Sequence, residues 1–242
     1  MSYKNSLCFV LKSVNYRDAD KIYTLYSQEE GRISAIARGV RKISSKRAGG
    51  LDTLNLASLT YFGGKNGHKT ITEVKSLKSF RHLKADSGKV AVAYKIIALL
   101  LKHVEEDSPD SKLFSALEKT LNLLDDSVVS DVAVLSYFYI HFMYSLGYRL
   151  QLTKCSFCGD KLRREWGSAW FSIEKGGLVC PLCKNFEEEI GLRGAALLNK
   201  LQFLSKDLSR YLSKDSPQYF NTGNTILARL EGLLHRYLQF KL

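Results

Sequence analysis

No glycine-rich loop ending in Lys-Ser or Lys-Thr occurs in this 242-residue sequence, no G-x-G-x-x-G opens a helix, and there is no G-x-S-x-G elbow. These absences remove the P-loop NTPases, the dinucleotide-binding enzymes and the α/β-hydrolases. His68, His82, His103, His141 and His235 are scattered without paired ligand spacing, and His141 in its apolar stretch reads as a core residue. Asp18 and Asp20 in "RDAD" are a carboxylate pair, but a polar hairpin turn accounts for them as well as a metal nuclease does. No seat for catalysis is legible, and a non-enzyme is expected. The apolar stretch "LCFVL" is too short for a secretion signal, and "VAVAYKIIALLLKHV" is interrupted by Lys95 and falls short of a bilayer span. The expectation is a soluble, cytoplasmic protein with no membrane partner. Internal repeats and low-complexity linkers are also missing.

What the chain has in excess is positive charge, +12 at neutral pH. A balance of this size favours nucleic acid, an anionic surface or an acidic protein as partner, although a merely solubilising surface accounts for part of it. The excess sits at the two ends: residues 1–80 hold 14 Lys+Arg against 6 Asp+Glu, and residues 191–242 hold 8 against 3. The densest stretch is "ARGVRKISSKRAGG", where Arg38, Arg41, Lys42, Lys46 and Arg47 fall within ten residues without an acid. A loop so charged repels itself unless an anion neutralises it.

Residues 1–80 carry strand signals. "GRISAIAR" alternates Ile33, Ala35 and Ala37 with polar neighbours, and "LCFVLKSV", "KIYTLYSQ", "LNLASLTYFGG" and "HKTITEVKSLK" are β-rich, with turn signals at "EEGR" and "GGKNGH". Five strands with few helical interruptions predict a small barrel, SH3-like or OB-type, and the long loops favour OB. Such barrels bind single strands in grooves of cations and aromatics. Tyr16, Tyr23, Tyr26, Tyr61 and Phe62 are the candidate aromatics, a minority of them facing a ligand.

From about residue 84 the period becomes helical. Val90, Ala93, Tyr94, Ile97, Leu100, Leu101 and Val104 predict one face of a central, mostly buried helix. A second helix is expected from Ser108 as N-cap with Pro109 following, and a third ends at Gly147. Two more are expected over about residues 192–213 and 217–240, the last with Ile226, Leu227, Leu230, Leu233, Leu234, Tyr237 and Leu238 on one face. That amphipathic end, being basic, either completes the core or offers a groove to an acidic peptide.

"KCSFCGD" and "VCPLCKN" place Cys155, Cys158, Cys180 and Cys183 as two C-x-x-C knuckles separated by residues 159–179. Two such knuckles supply the tetrahedral four-sulfur shell of a structural Zn²⁺, closed to water and hence not hydrolytic. Disulfides are disfavoured in a reducing compartment, and a redox C-x-x-C normally stands alone. Cys8 reads as a core thiol. The architecture is thus α+β and multidomain: an N-terminal five-stranded OB-type β-barrel at 1–80, a helical domain at 81–150 and 191–242, and a zinc module inserted at 151–190.

Two stretches, "NYRDADKIYTLYSQEEGRISAIARGVRKISSKRAGGLDTLN" and "HFMYSLGYRLQLTKCSFCG" continuing into "WFSIEKGGLVCPLC", resemble the RecO family of bacterial recombination mediators. The resemblance runs over essentially the whole chain. It implies a DNA-binding repair protein without enzymatic activity, which binds single- and double-stranded DNA, anneals complementary strands and helps load the RecA recombinase onto strands covered by single-strand-binding protein. It implies DNA contacts at Arg38, Arg41, Lys42, Lys46 and Arg47, zinc on the four cysteines, and RecR and the acidic C-terminal tail of single-strand-binding protein as partners. Location in the cytoplasm, at the nucleoid when DNA is bound, follows from the same resemblance. An RNA-binding protein built from an OB barrel and a zinc ribbon is the alternative.

Overall fold

Alternation of side chains across a pleated strand decides the first unit. In the computed structural model, which describes residues 3–43, 45, 47–63, 69–126, 130–203 and 224–242, Gly31, Ile33, Ala35 and Ala37 point inward while Arg32, Ser34 and Ile36 do not. Strands β1 (Tyr3–Tyr16), β2 (Asp20–Ser27), β3 (Gly31–Ala37), β4 (Leu56–Gly63) and β5 (Lys69–Lys78) close into a barrel in the order β1-β2-β3-β5-β4. All neighbours are antiparallel except β3 and β5, which run parallel and, among the described residues, pair at Ala35–Lys69 and Ile36–Thr70. This is the OB-like arrangement expected. Strand β1 serves both flanks, pairing with β4 through its first half and β2 through its second, and a bulge at Leu11 gives it the bend this requires.

The barrel is filled, not hollow. Cys8, Val10, Tyr23, Leu25, Ile33, Ala35, Ala37, Leu59, Tyr61 and Ile71 form its core, joined by Val40 and Leu51 from the connection after β3. Alanines at 35, 37 and 57 leave room for the two tyrosine rings. Of the five candidate aromatics, Tyr23, Tyr26 and Tyr61 are buried; Tyr16 and Phe62 are partly exposed. Burial pushes the Cys8 thiol up to about 12, which makes it an inert core residue.

The compact unit containing the barrel extends from Met1 to Asp125, so residues 81–125 belong with it. Helices α1 (Arg81–Ala85), α2 (Ser87–His103) and α3 (Ser111–Asp125) complete it. Phe114 of α3 lies 5.1 Å from Phe9 and 6.0 Å from Tyr26, joining helix to barrel through aromatic contact. Two expectations need correction. Helix α2 buries only Lys89, Ala93, Ile96, Ile97 and Leu100, and Tyr94 is half exposed, so it is an amphipathic surface helix. Helix α3 is capped by Asp110, whose Oδ1 accepts from the amides of Lys112 and Leu113 at 2.9 and 3.0 Å, and not by Ser108. The Ser108 carbonyl is instead packed against Gly31, where φ is +70° and a Cβ would sit 2.2 Å from that oxygen. Only glycine satisfies both conditions there.

The second compact unit, Asp126–Leu242, is built on α4 (Asp131–Ser145), the helix that is buried on nearly every side. It ends as expected: Gly147 has φ +88°, and its amide and that of Tyr148 return to the carbonyls of Tyr144 and Met143. Helices α5 (Gly191–Phe203) and α6 (Asn224–Lys241) pack on α4 and on each other. The apolar face of α6, Leu227 to Leu238, is buried and completes this core. The expected ends of these two helices between 204 and 223 lie outside the described residues. Among the described residues no helix is long and apolar enough to cross a membrane.

Glu30 closes one end of the barrel. Its Oε1 accepts from Lys4 Nζ and its Oε2 from the Tyr61 hydroxyl, both at 2.5 Å, and Lys69 lies 3.9 Å away. Burial alone would raise its pKa; the hydrogen bonds and the two ammonium groups outweigh burial and leave it lowered. A carboxylate whose folded pKa lies below its unfolded value stabilises the fold above the unfolded value and ceases to do so as pH falls through the folded one. Denaturant unfolding measured from pH 7 down to about pH 3 should therefore lose stability below the ordinary glutamate range. In Glu30→Gln that acid-induced loss should be visibly smaller and stability at neutral pH lower.

Candidate nucleic-acid interface and metal centre

The connection from β3 to β4 contains the basic loop, and the structure shows how so much like charge is held. Gly39 (φ +65°) donates its amide to Asp20 Oδ1 at 2.7 Å, so the second aspartate of "RDAD" is the anchor of the loop. The Arg41 amide donates to the Ala19 carbonyl at 3.0 Å, and its Nη1 to the carbonyls of Arg17 and Asp18 at 3.3 and 3.1 Å. Downstream, Asn55 Nδ2 donates to the Gly49 carbonyl at 2.9 Å while its Oδ1 accepts from Lys84 at 2.6 Å. Val40 and Leu51 enter the barrel core on either side. The loop is thus fastened to the β1–β2 turn and to the barrel end at both its margins.

The five expected contact residues separate by this geometry. Arg38 and Lys42 are exposed and, with Ala19, Asp20, Gly39, Ser45 and Arg47, line a surface pocket beside the β1–β2 turn. Arg41 is exposed and anchored through one nitrogen, which leaves the rest of its fork facing outward. Arg47 is partly buried and uses both terminal nitrogens: Nη1 to the Ile71 carbonyl at 3.2 Å and Nη2 to the Arg38 carbonyl at 2.6 Å. Lys46 lies outside the described residues. Sequence reasoning did not single out Arg17 and Lys21. Arg17 (φ +52°) stands with its guanidinium 5.1 Å from the Tyr16 ring centre in the same turn, and Lys21 lines the adjoining groove with Arg41 and Lys42. Their signal was present in the hairpin turn itself, whose cations face the same end of the barrel as the loop.

The second site lies within the unit of α4. Strands β6 (Trp170–Ser172) and β7 (Gly177–Val179) form a hairpin between the knuckles, with β8 (Glu188–Glu189) on the free edge of β6. Cys155 and Cys158 turn at one knuckle, where the Gly159 amide returns to the Cys155 carbonyl; at the other, the amides of Cys183 and Lys184 return to Cys180. The four sulfurs lie within 4.8 Å of one another, and Cys158 and Cys180 are 3.7 Å apart. A tetrahedron of sulfurs about 2.3 Å from a central metal has edges of about 3.8 Å, so the cluster fits a four-thiolate ion. The Cys180 amide points at Cys155 Sγ, 3.4 Å away. Burial would raise the Cys155 thiol, but the backbone amides around it outweigh burial and bring it down to about 7. Hydrogen bonding with the neighbouring thiols Cys158 and Cys180 pushes Cys183 up to about 12. Asn199 of α5 donates to the Leu152 carbonyl, Lys241 of α6 to the Glu174 carbonyl, and Phe171 meets Tyr237 edge-on, so the module is tied to the helices.

An OB-like barrel carrying a fastened cationic loop, followed by a helical unit with a four-cysteine cluster able to hold a metal ion, is an arrangement suited to a nucleic-acid-binding class of protein. Residues 1–80 match the family model "Recombination protein O N terminal", and residues 84–242 match "Recombination protein O C terminal". The chain is 33% identical to the DNA repair protein RecO of Heliobacterium modesticaldum over 207 residues, covering 83% of this chain and 74% of that protein. It is 26% identical to the DNA repair protein RecO of Alkaliphilus metalliredigens, covering 90% and 88%, and 25% identical to that of Acetivibrio thermocellus, covering 100% and 93%. The chain belongs to the RecO family of DNA repair proteins.

Two outcomes follow from these geometries. Arg47→Ala leaves two carbonyls at the barrel seam without their donor and should cost about 2 kcal/mol, lowering Tm by roughly 5–10 °C, whereas Arg38→Ala with Lys42→Ala should leave Tm within about 2 °C. Cys155→Ser or Cys180→Ser should abolish stoichiometric metal in elemental analysis of the purified protein and lower Tm by roughly 5 °C or more.

Proposed function

We propose that the chain is a DNA-binding recombination mediator acting in DNA repair without a catalytic step. It binds single- and double-stranded DNA, anneals complementary strands and helps load the RecA recombinase onto strands covered by single-strand-binding protein. The observation that carries this reading is the fastened loop: Arg38, Arg41 and Lys42 are presented at one end of an OB-like barrel by hydrogen bonds that do not need DNA to form. Lys46, from its place in the sequence, and Arg47 are the further proposed DNA contacts, Arg47 chiefly by holding the loop in shape. Cations held in advance lose little entropy when phosphates arrive, and bound on both strands they lower the repulsion between two backbones.

In this reading the barrel of residues 1–80 grips the strand, and residues 81–150 and 191–242 are the helical part. The module at 151–190 carries one structural Zn²⁺ on Cys155, Cys158, Cys180 and Cys183. The donor set supports zinc, since four thiolates leave no position for water and suit a soft, tetrahedral, redox-silent ion. The partners are RecR and the acidic tail of single-strand-binding protein, and the protein works in the cytoplasm, at the nucleoid when DNA is bound.

Single-stranded DNA affinity measured against salt tests the loop. Removal of Arg38 and Lys42 together should flatten the slope of log K against log salt by about 1.4, near 0.7 for each phosphate that is no longer neutralised. An unchanged slope and affinity in that double variant would remove the loop from the interface. A peptide copying the acidic tail should bind the chain at low salt; a failure to bind at any salt concentration would refute that partnership while leaving the loop assignment standing.

A further inference from the structure

Within the basic loop one side chain contradicts its surroundings. Ile43 is fully exposed, at 108% of its reference area, while Val40, Leu51 and Leu54, the other large aliphatic side chains described in residues 38–55, are 2–3% exposed. The backbone places it there. The Lys42 amide donates to the Gly39 carbonyl at 3.2 Å and the Ser45 amide to the Lys42 carbonyl at 2.8 Å, so two turns follow one another and Ile43 occupies the first corner of the second. The supports that hold the loop lie on both sides of this corner: Gly39 on Asp20, Arg41 on the β1–β2 turn, and Arg47 on the Ile71 and Arg38 carbonyls. A β-branched apolar residue is therefore carried at the tip of a supported loop, between cations that bring phosphates to it.

We infer that Ile43 is an apolar wedge that enters between neighbouring bases of a strand gripped by this loop and unstacks them. The inference deepens the DNA-binding reading above and rests on it. Apolar side chains inserted between base steps are a known physical means of unstacking nucleic acid, and the energy is recovered from backbone contacts made beside the wedge. Here Arg38, Arg41 and Lys42 are those contacts. A stiff, branched side chain suits the task, because it loses little rotamer freedom on insertion. Bases parted from their stack present their pairing edges, the state in which a complementary strand can engage them.

The test uses an oligonucleotide with 2-aminopurine inside a run of adenines, whose fluorescence rises when stacking is lost. The full-length protein should raise it on binding. Ile43→Ser should abolish most of the rise at saturating protein, with affinity weakened by no more than about tenfold because the cations remain. Ile43→Leu should restore at least half of it. A rise of the same size in Ile43→Ser would overturn the wedge while leaving DNA binding intact. Strand binding by the wild-type chain without any rise would also overturn it, and a wild-type chain that binds no DNA would overturn the DNA-binding reading and the wedge together.

Discussion

The barrel closes where β3 meets β5, and that seam governs the first unit. Among the described residues these two strands share two residue pairs, against seven or eight for the other neighbouring strands. Just past the last pair, the Arg47 guanidinium joins the Arg38 carbonyl at the end of β3 to the Ile71 carbonyl of β5. A planar fork of donors continues, from a side chain, the pairing that the two backbones abandon as they diverge. Because Arg47 lies in the basic loop, barrel closure and loop shape are one constraint. The same hydrogen bonds that hold the sheet together set where Arg38, Lys42 and Ile43 stand.

Charge on this loop consequently has two uses. Arg47 and one nitrogen of Arg41 satisfy backbone carbonyls, while Arg38, Lys42 and the rest of Arg41 face solvent. Acidic residues enter as fasteners: Asp20 fixes Gly39, and Glu30 at another barrel margin gathers Lys4, Lys69 and Tyr61. The second unit follows a comparable logic, with thiols instead of charges. Four sulfurs brought within 4.8 Å repel when ionised, and their convergence is useful to the fold once a cation occupies the centre. The hairpin, the α5 and α6 contacts and the two knuckles position them without needing long secondary structure.

Much of this was legible in local patterns. The alternation in Gly31–Ala37 specified an inward and an outward face, and the glycine after α4 ended that helix where expected. The cysteine knuckles were recognisable because two short spacings, each enforced by a turn, leave few other uses for four thiols. Errors arose where two local signals competed. Ser108–Pro109 has the composition of a helix start, yet Asp110 takes the cap because the Ser108 backbone is engaged against Gly31. The apolar run at 90–104 suggested a central helix, but burial depends on what surrounds a helix. It is α4, with α5 and α6 against it, that is enclosed.

By itself, the amino-acid sequence determined the element types, the order of barrel and helices, the two cysteine knuckles and the stretch where positive charge concentrates, since each depends on residues close together in the chain. Tertiary structure alone decided which tyrosines are core, which aspartate anchors the basic loop, and which arginines of that loop are fasteners and which are presented. Those distinctions depend on partners such as Asp20 and Ile71, 19 and 24 residues away from the groups they bind. Charge and hydropathy are properties of a residue, but burial and hydrogen bonding are properties of the place where the folded chain puts it.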